Sequence, residues 1–95
     1  MGKPRPVLIV QNDAYLALSS VTIVPLTSHV TEPRVVRPQV MPSPENGLNE
    51  VSQVMADKIT TIPRTRLRDP VGQLDEADVM RVETAMLIFL GFGRR

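Results

Sequence analysis

Residues 21–28 read VTIVPLTS, β-branched and apolar side chains set around one proline, Pro25. Such side chains suit a pleated, half-buried surface, so the segment is expected to be a strand. Proline has no N–H to give to a ladder, which puts this strand at a sheet edge or gives it a bulge near Pro25. Upstream, PVLIVQN (residues 6–12) is a short apolar run closed by turn-forming residues, the pattern of a strand buried on both faces. Residues 13–20 read as a connecting loop, and two extended segments so close in sequence point to an antiparallel pair.

Downstream, TEPRVVRPQVMPSPENGL (residues 31–48) carries four prolines, which excludes helix. Residues 34–41 are expected to be extended, with Pro38 again implying an edge, and residues 43–47 form a turn. EVSQVMADKITTI (residues 50–62) reads as a longer strand whose imperfect alternation calls for a bulge near Ala56 and Asp57. PRTRL fits one helical turn with Pro63 at its first position, and VGQL (residues 71–74) another short strand. A helix starts after Asp75, its N-cap, with Asp78 three residues on and Leu74 placed to pack on Val79. Val79, Val82, Met86 and Phe89 follow at helical spacing as a core stripe, and Gly91 can close the C-terminus. Several short strands followed by one helix indicate a small twisted sheet or half-open barrel.

The composition restricts function. Ninety-five residues suffice for one modest core, so residues 1–95 are read as a single domain. With 42% hydrophobic and 22% charged residues, the chain has the balance of a folded soluble protein. Aromatics make up only 3%, so base stacking on aromatic platforms is nearly unavailable. No cysteine is present, which removes disulfides, thiol nucleophiles and thiolate metal sites. The start has no signal-peptide pattern and no run is long enough to span a bilayer, so a cytoplasmic protein without membrane contact is expected. Net charge is +1, but the acids crowd Asp75–Glu83, while Lys3, Arg5, Arg34, Arg37, Lys58, Arg64, Arg66 and Arg68 precede them. A basic surface of this kind attracts RNA or an acidic protein segment.

Phosphate loops and metal-ligand spacings are absent from the sequence. Arg5 lies between Pro4 and Pro6, which stiffen its backbone, and a rigid guanidinium fork there suits a bound phosphate or a buried carboxylate equally well. His29, the single histidine, reads either as a catalytic acid or as an ordinary loop residue.

Taken together, GKPRPVLIVQND, TIVPLTS, ADKITTIPRTRL and GQLDEADVMRVETAMLIFLG resemble the MazF/PemK (Kid) family of toxin endoribonucleases of bacterial toxin–antitoxin modules, in order and over almost the whole chain. The resemblance implies a mainly β, CcdB/PemK-type fold: a twisted antiparallel sheet forming an SH3-like half barrel, with a C-terminal helix, in a symmetric homodimer. It implies sequence-specific cutting of single-stranded mRNA without metal or cofactor, leaving a 2′,3′-cyclic phosphate and a 5′-hydroxyl, and neutralisation by a cognate antitoxin. Arg5 falls on the family's catalytic arginine and Thr27 on its catalytic threonine. Asp57 and Lys58 fall near its RNA-contacting surface, with Lys58 where several relatives carry glutamine. Ser28 and Ser52 are further candidates for substrate contact, and both also read as ordinary strand-end hydroxyls.

Relatives carry an R-G-D-(I/L)-W-like strand and a G-x-E loop ahead of this region, whereas here Met1 immediately precedes GKPRP; the expectation is a domain without that strand and loop. Two alternatives follow: a catalytically silent toxin that still binds antitoxin or RNA, and a gyrase-binding toxin of the CcdB kind. The ending FLGFGRR lacks the Trp-Gly-Ile that the CcdB branch uses.

Overall fold

The segment around Pro25 becomes the spine of the sheet. In the computed structural model, which describes residues 5–32 and 35–92, the strands are β1 (Val7–Ile9), β2 (Ser20–Thr27), β3 (Gln39–Val40), β4 (Ser52–Val54) and β5 (Thr60–Pro63), followed by the helix α1 (Glu76–Leu90). Lys3, Pro4 and Arg34 lie outside the described residues. All pairings are antiparallel: the order is β1-β2-β4-β3, with β5 also on β2. The expected open antiparallel sheet with a C-terminal helix is therefore observed.

Pro25 sits in this central strand and not at an edge. Its carbonyl accepts from the Met55 N–H at 2.9 Å, but it has no N–H to return to the Met55 carbonyl. That carbonyl instead takes the Lys58 N–H at 2.9 Å and opens a 3₁₀ turn, Ala56–Lys58. Leu26 pairs with Val54 and Ile23 with Thr60, so three residue steps on β2 face six on the neighbouring segment, and the turn absorbs the excess. One side of β2 is thus shared between β4 and β5. The interruption expected near Ala56 and Asp57 falls where the alternation placed it, as a full turn in place of a bulge.

Other expectations need correction. β1 is an edge strand, with Ile9 exposed, because β2 is its only neighbour among the described residues; it is not buried on both faces. Residues 71–74 form no strand. They run beside the turn at residues 43–48, where the Gln73 N–H reaches the Glu45 carbonyl at 2.8 Å. Pro38 does stand at the edge: its carbonyl accepts from Val54 N–H at 3.0 Å, and without an N–H to give back, the β3 ladder begins only at Gln39. Residues 64–66 make the expected single helical turn, of 3₁₀ type, but Pro63 is not its first residue: it ends β5 in extended conformation and caps the turn.

α1 begins at Asp75, whose carboxylate accepts from the Asp78 N–H at 2.8 Å, and ends at Gly91, whose φ of 71° is the left-handed cap conformation. Its buried residues are Val82 and Ala85. Val82 joins Val24, Leu26, Val40 and Val54 in the core, with Leu74 and Met86 packed against the cluster. The predicted stripe ends sooner than its spacing implied, because Phe89 is 45% exposed. Arg81 ties the helix to the sheet by donating to the Gln39 carbonyl, and it pairs with Asp78 at 3.1 Å.

Candidate active site

The register of β1 on β2 pairs Val7 with Pro25, Leu8 with Val24 and Ile9 with Ile23. The Leu26 N–H to Pro6 carbonyl bond of 3.1 Å carries this pairing beyond β1. Continued one residue past the Pro6–Leu26 bond, the same register would put Arg5 opposite Thr27. Thr27 in turn pairs with Gln53, and Gln53 with Gln39. Directly opposed residues of an antiparallel ladder point to the same face. One polar row, Thr27, Gln53 and Gln39, therefore crosses three strands, and Arg5 precedes β1 at the Thr27 end of it. Leu26, Val54 and Val40, each one residue away along its strand, belong to the core.

Arg5 is exposed at one end of this row and Thr27 is half-buried. The Thr27 Oγ1 accepts the His29 N–H at 3.1 Å, a local turn that fixes the hydroxyl oxygen and leaves its O–H to donate elsewhere. A guanidinium and a hydroxyl are both donor types that bind phosphate oxygens. Ser28 and His29 follow at the surface, both exposed.

The remaining candidates divide. Asp57 and Lys58 lie in the 3₁₀ turn after β4. The Arg37 guanidinium grips Asp57 with two bonds, Nε to Oδ1 and Nη2 to Oδ2, each 2.9 Å. Hydrogen bonding from Arg37 holds the Asp57 carboxyl below the usual carboxylate range, and Asp57 holds Arg37 firmly charged. Lys58 is exposed. Ser52 is not brought to the row: it pairs with Val40 on the core face, is buried, and donates to the Glu50 carbonyl at 3.0 Å.

Gln53, Thr31 and Arg37 belong to the site's structure without having been singled out as candidates. The available signal was a glutamine amid the apolar β4 run, in the sequence SQVMA. Among the described residues, no three His, Asp or Glu side chains gather as metal ligands would. A cleft of about 690 Å³ lies between α1 and the β1–β2 connection, lined by Val10, Tyr15, Leu18, Met86 and Leu87. None of the candidate residues lines it, and its apolar walls suit hydrophobic contact better than a phosphate.

Comparison with known proteins places the sequence and the fold in one family. A family described as PemK-like, MazF-like toxin of type II toxin–antitoxin system matches residues 1–90. The chain is 49% identical over 90 residues to a probable endoribonuclease MazF of Mycolicibacterium smegmatis, covering 95% of this chain and 83% of that one. Its fold matches the Mycobacterium tuberculosis toxin MazF-mt6 with a TM-score of 0.81 at 29% identity, covering 96% of this chain and 88% of the other. It also matches an endoribonuclease in complex with its cognate antitoxin from a mycobacterial species, with a TM-score of 0.76 at 30% identity, over 92% and 81% of the two chains. A family match over residues 1–90, with 49% identity to one relative across 95% of this chain, means that this chain belongs to the PemK-like, MazF-like toxins of type II toxin–antitoxin systems.

Proposed function

We propose that this chain is an endoribonuclease toxin that cuts single-stranded mRNA at specific sequences without a metal, and that a cognate antitoxin neutralises it. The observation that supports the reading is the β1–β2 register, which the Leu26 N–H to Pro6 carbonyl bond carries to the residue before Thr27 on one strand and the residue after Arg5 on the other. In the reaction the 2′-oxygen attacks the adjacent phosphorus and loses its proton. The bond from phosphorus to the 5′-oxygen breaks, and that oxygen leaves protonated. The products are a 2′,3′-cyclic phosphate and a 5′-hydroxyl. Charge builds on the non-bridging oxygens of the pentacoordinate phosphorane, where preorganised donors count most. Arg5 supplies a fixed cation, and the Thr27 hydroxyl, its oxygen held by the His29 N–H, donates to one of those oxygens.

Ser28 and Lys58, both exposed, extend the RNA contact surface, with Lys58 offering a cation to a neighbouring phosphate. Asp57 acts one layer behind through Arg37. Ser52, buried on the core face, supports β4. The toxin works as a homodimer. Leu87, Phe89 and Phe92, 55%, 45% and 62% exposed near the end of α1, supply apolar surface for a second copy to cover.

The test is incubation with a long single-stranded RNA in EDTA, beside Arg5→Ala, with fragment 5′ ends mapped. Wild type is expected to cut at discrete sites, and Arg5→Ala to cut at least about a hundredfold more slowly at unchanged melting temperature. A folded wild type that leaves RNA intact overturns the reading. Unfolding of Arg5→Ala shows instead that the arginine serves a carboxylate in the fold.

A further inference from the structure

Burying an amide is costly unless its groups are paired. Gln53 is 0% exposed, and both ends of its side chain engage one residue: Oε1 accepts from the Thr31 N–H at 2.9 Å, and Nε2 donates to the Thr31 carbonyl at 2.9 Å. A side chain here does what the backbone of a partner strand does in a ladder. Thr27 and Gln53 are register partners. The chain therefore leaves β2 at Thr27, turns through Ser28 and His29, and is fastened at Thr31 to the residue beside its point of departure. Arg37 braces the same residue from outside, its Nη1 donating to Thr31 Oγ1 at 3.2 Å while Asp57 grips the rest of the guanidinium.

We propose that Gln53 is a positioning residue for RNA cleavage. By clasping Thr31 it fixes the turn in which the His29 N–H orients the Thr27 hydroxyl, so that hydroxyl and the Arg5 guanidinium meet one phosphate. Gln53 itself is wholly buried and touches no substrate. This inference rests on the endoribonuclease reading above. It differs from a packing role, in which any side chain of similar volume serves.

Gln53→Met separates the two, because it keeps an unbranched side chain of similar volume and removes both bonds to Thr31. The measurements are steady-state cleavage of a short RNA carrying one mapped cut site, and amide exchange over residues 28–32 without RNA. The variant is expected to melt cooperatively, to lose at least about tenfold in kcat with KM within about threefold, and to exchange the loop amides at least about tenfold faster. Wild-type kcat and wild-type exchange overturn the proposal. If Gln53→Met does not fold, Thr31→Pro breaks the N–H to Oε1 bond from the loop side with β4 intact. The same loss of kcat and faster exchange are expected, and wild-type values again overturn the proposal. Exchange is read without RNA, so a loosened loop in a protein whose wild type cuts nothing overturns the endoribonuclease reading and leaves the clasp standing.

Discussion

Two buried amides hold two loops of this molecule by different means. Asn46, 6% exposed, holds the turn to which it belongs: its Oδ1 accepts the Ser43 and Leu48 N–H groups at 3.0 Å each, and its Nδ2 donates to the Met41 carbonyl at 2.9 Å. Ser43 answers with its own hydroxyl, which accepts the Asn46 N–H at 3.1 Å. Gly47 completes the turn with a φ of 67°, where a Cβ would come within 2.2 Å of the Val71 carbonyl oxygen. Gln53 instead reaches 22 residues back along the chain to Thr31. A local clasp folds with its own segment, whereas a distant one exists only once the sheet is assembled. The structural turn is built the first way and the loop beside the candidate site the second, so removing one residue loosens that loop without disturbing the turn chemistry elsewhere.

The largest expected effect on stability tests the local side of this contrast. Asn46→Ala removes three hydrogen bonds from a buried position and leaves their backbone partners unpaired, a cost of about 3 kcal/mol at roughly 1 kcal/mol per bond. Denaturant unfolding measures it. Cleavage per folded molecule, assayed well below the melting temperature, is expected to equal wild type. A tenfold loss of cleavage at unchanged stability breaks the contrast, because the turn then serves the site.

Next in size is Thr27→Val, which keeps a β-branched side chain in β2 and removes only the hydroxyl. Cleavage is expected to fall about 10- to 100-fold, with stability within about 1 kcal/mol of wild type. Unchanged cutting excludes the hydroxyl from the reaction and leaves its bond to His29 as a turn feature alone.

The same contrast explains what was legible in the sequence. Asp75 and Gly91 announce the ends of α1 because a cap acts within one turn, and the turn at residues 43–47 is visible because serine, proline, asparagine and glycine act on their own backbone. Pro25 was legible as an interruption but not as a central one. Its missing N–H faces the side on which β2 changes partner from β5 to β4, and only the assembled sheet has such a place. Arg5 stands out by its place between two prolines and Thr27 by family resemblance, while the strand register that draws their segments together belongs to the assembled sheet. Gln53 carries no local signature. A glutamine within an apolar strand raises the question of its partner, and the answer lies in a loop that periodicity does not describe.

The smallest expected effect concerns the outer brace. Arg37 and Asp57 stand one step further from the row than Gln53, with side chains 16% and 25% exposed, so water and salt weaken the pair. Asp57→Asn is expected to cost about 1 kcal/mol at neutral pH. The Asp57 carboxyl is held below its unfolded value of about 3.9 by the Arg37 hydrogen bonds, so the pair's contribution is present above that value and fades as pH falls through the depressed one. The stability difference between wild type and Asp57→Asn, measured by urea unfolding, is therefore expected to shrink steadily below about pH 4. A difference that stays constant with pH shows that Asp57 acts through packing and not through charge. Loop exchange over residues 28–32 is expected to quicken less than in Gln53→Met, because Thr31 keeps both bonds to the glutamine. If Asp57→Asn loosens the loop as much, the ion pair and not the amide is the true clasp, and the contrast between the two loops becomes one between a neutral local bond set and a charged distant one.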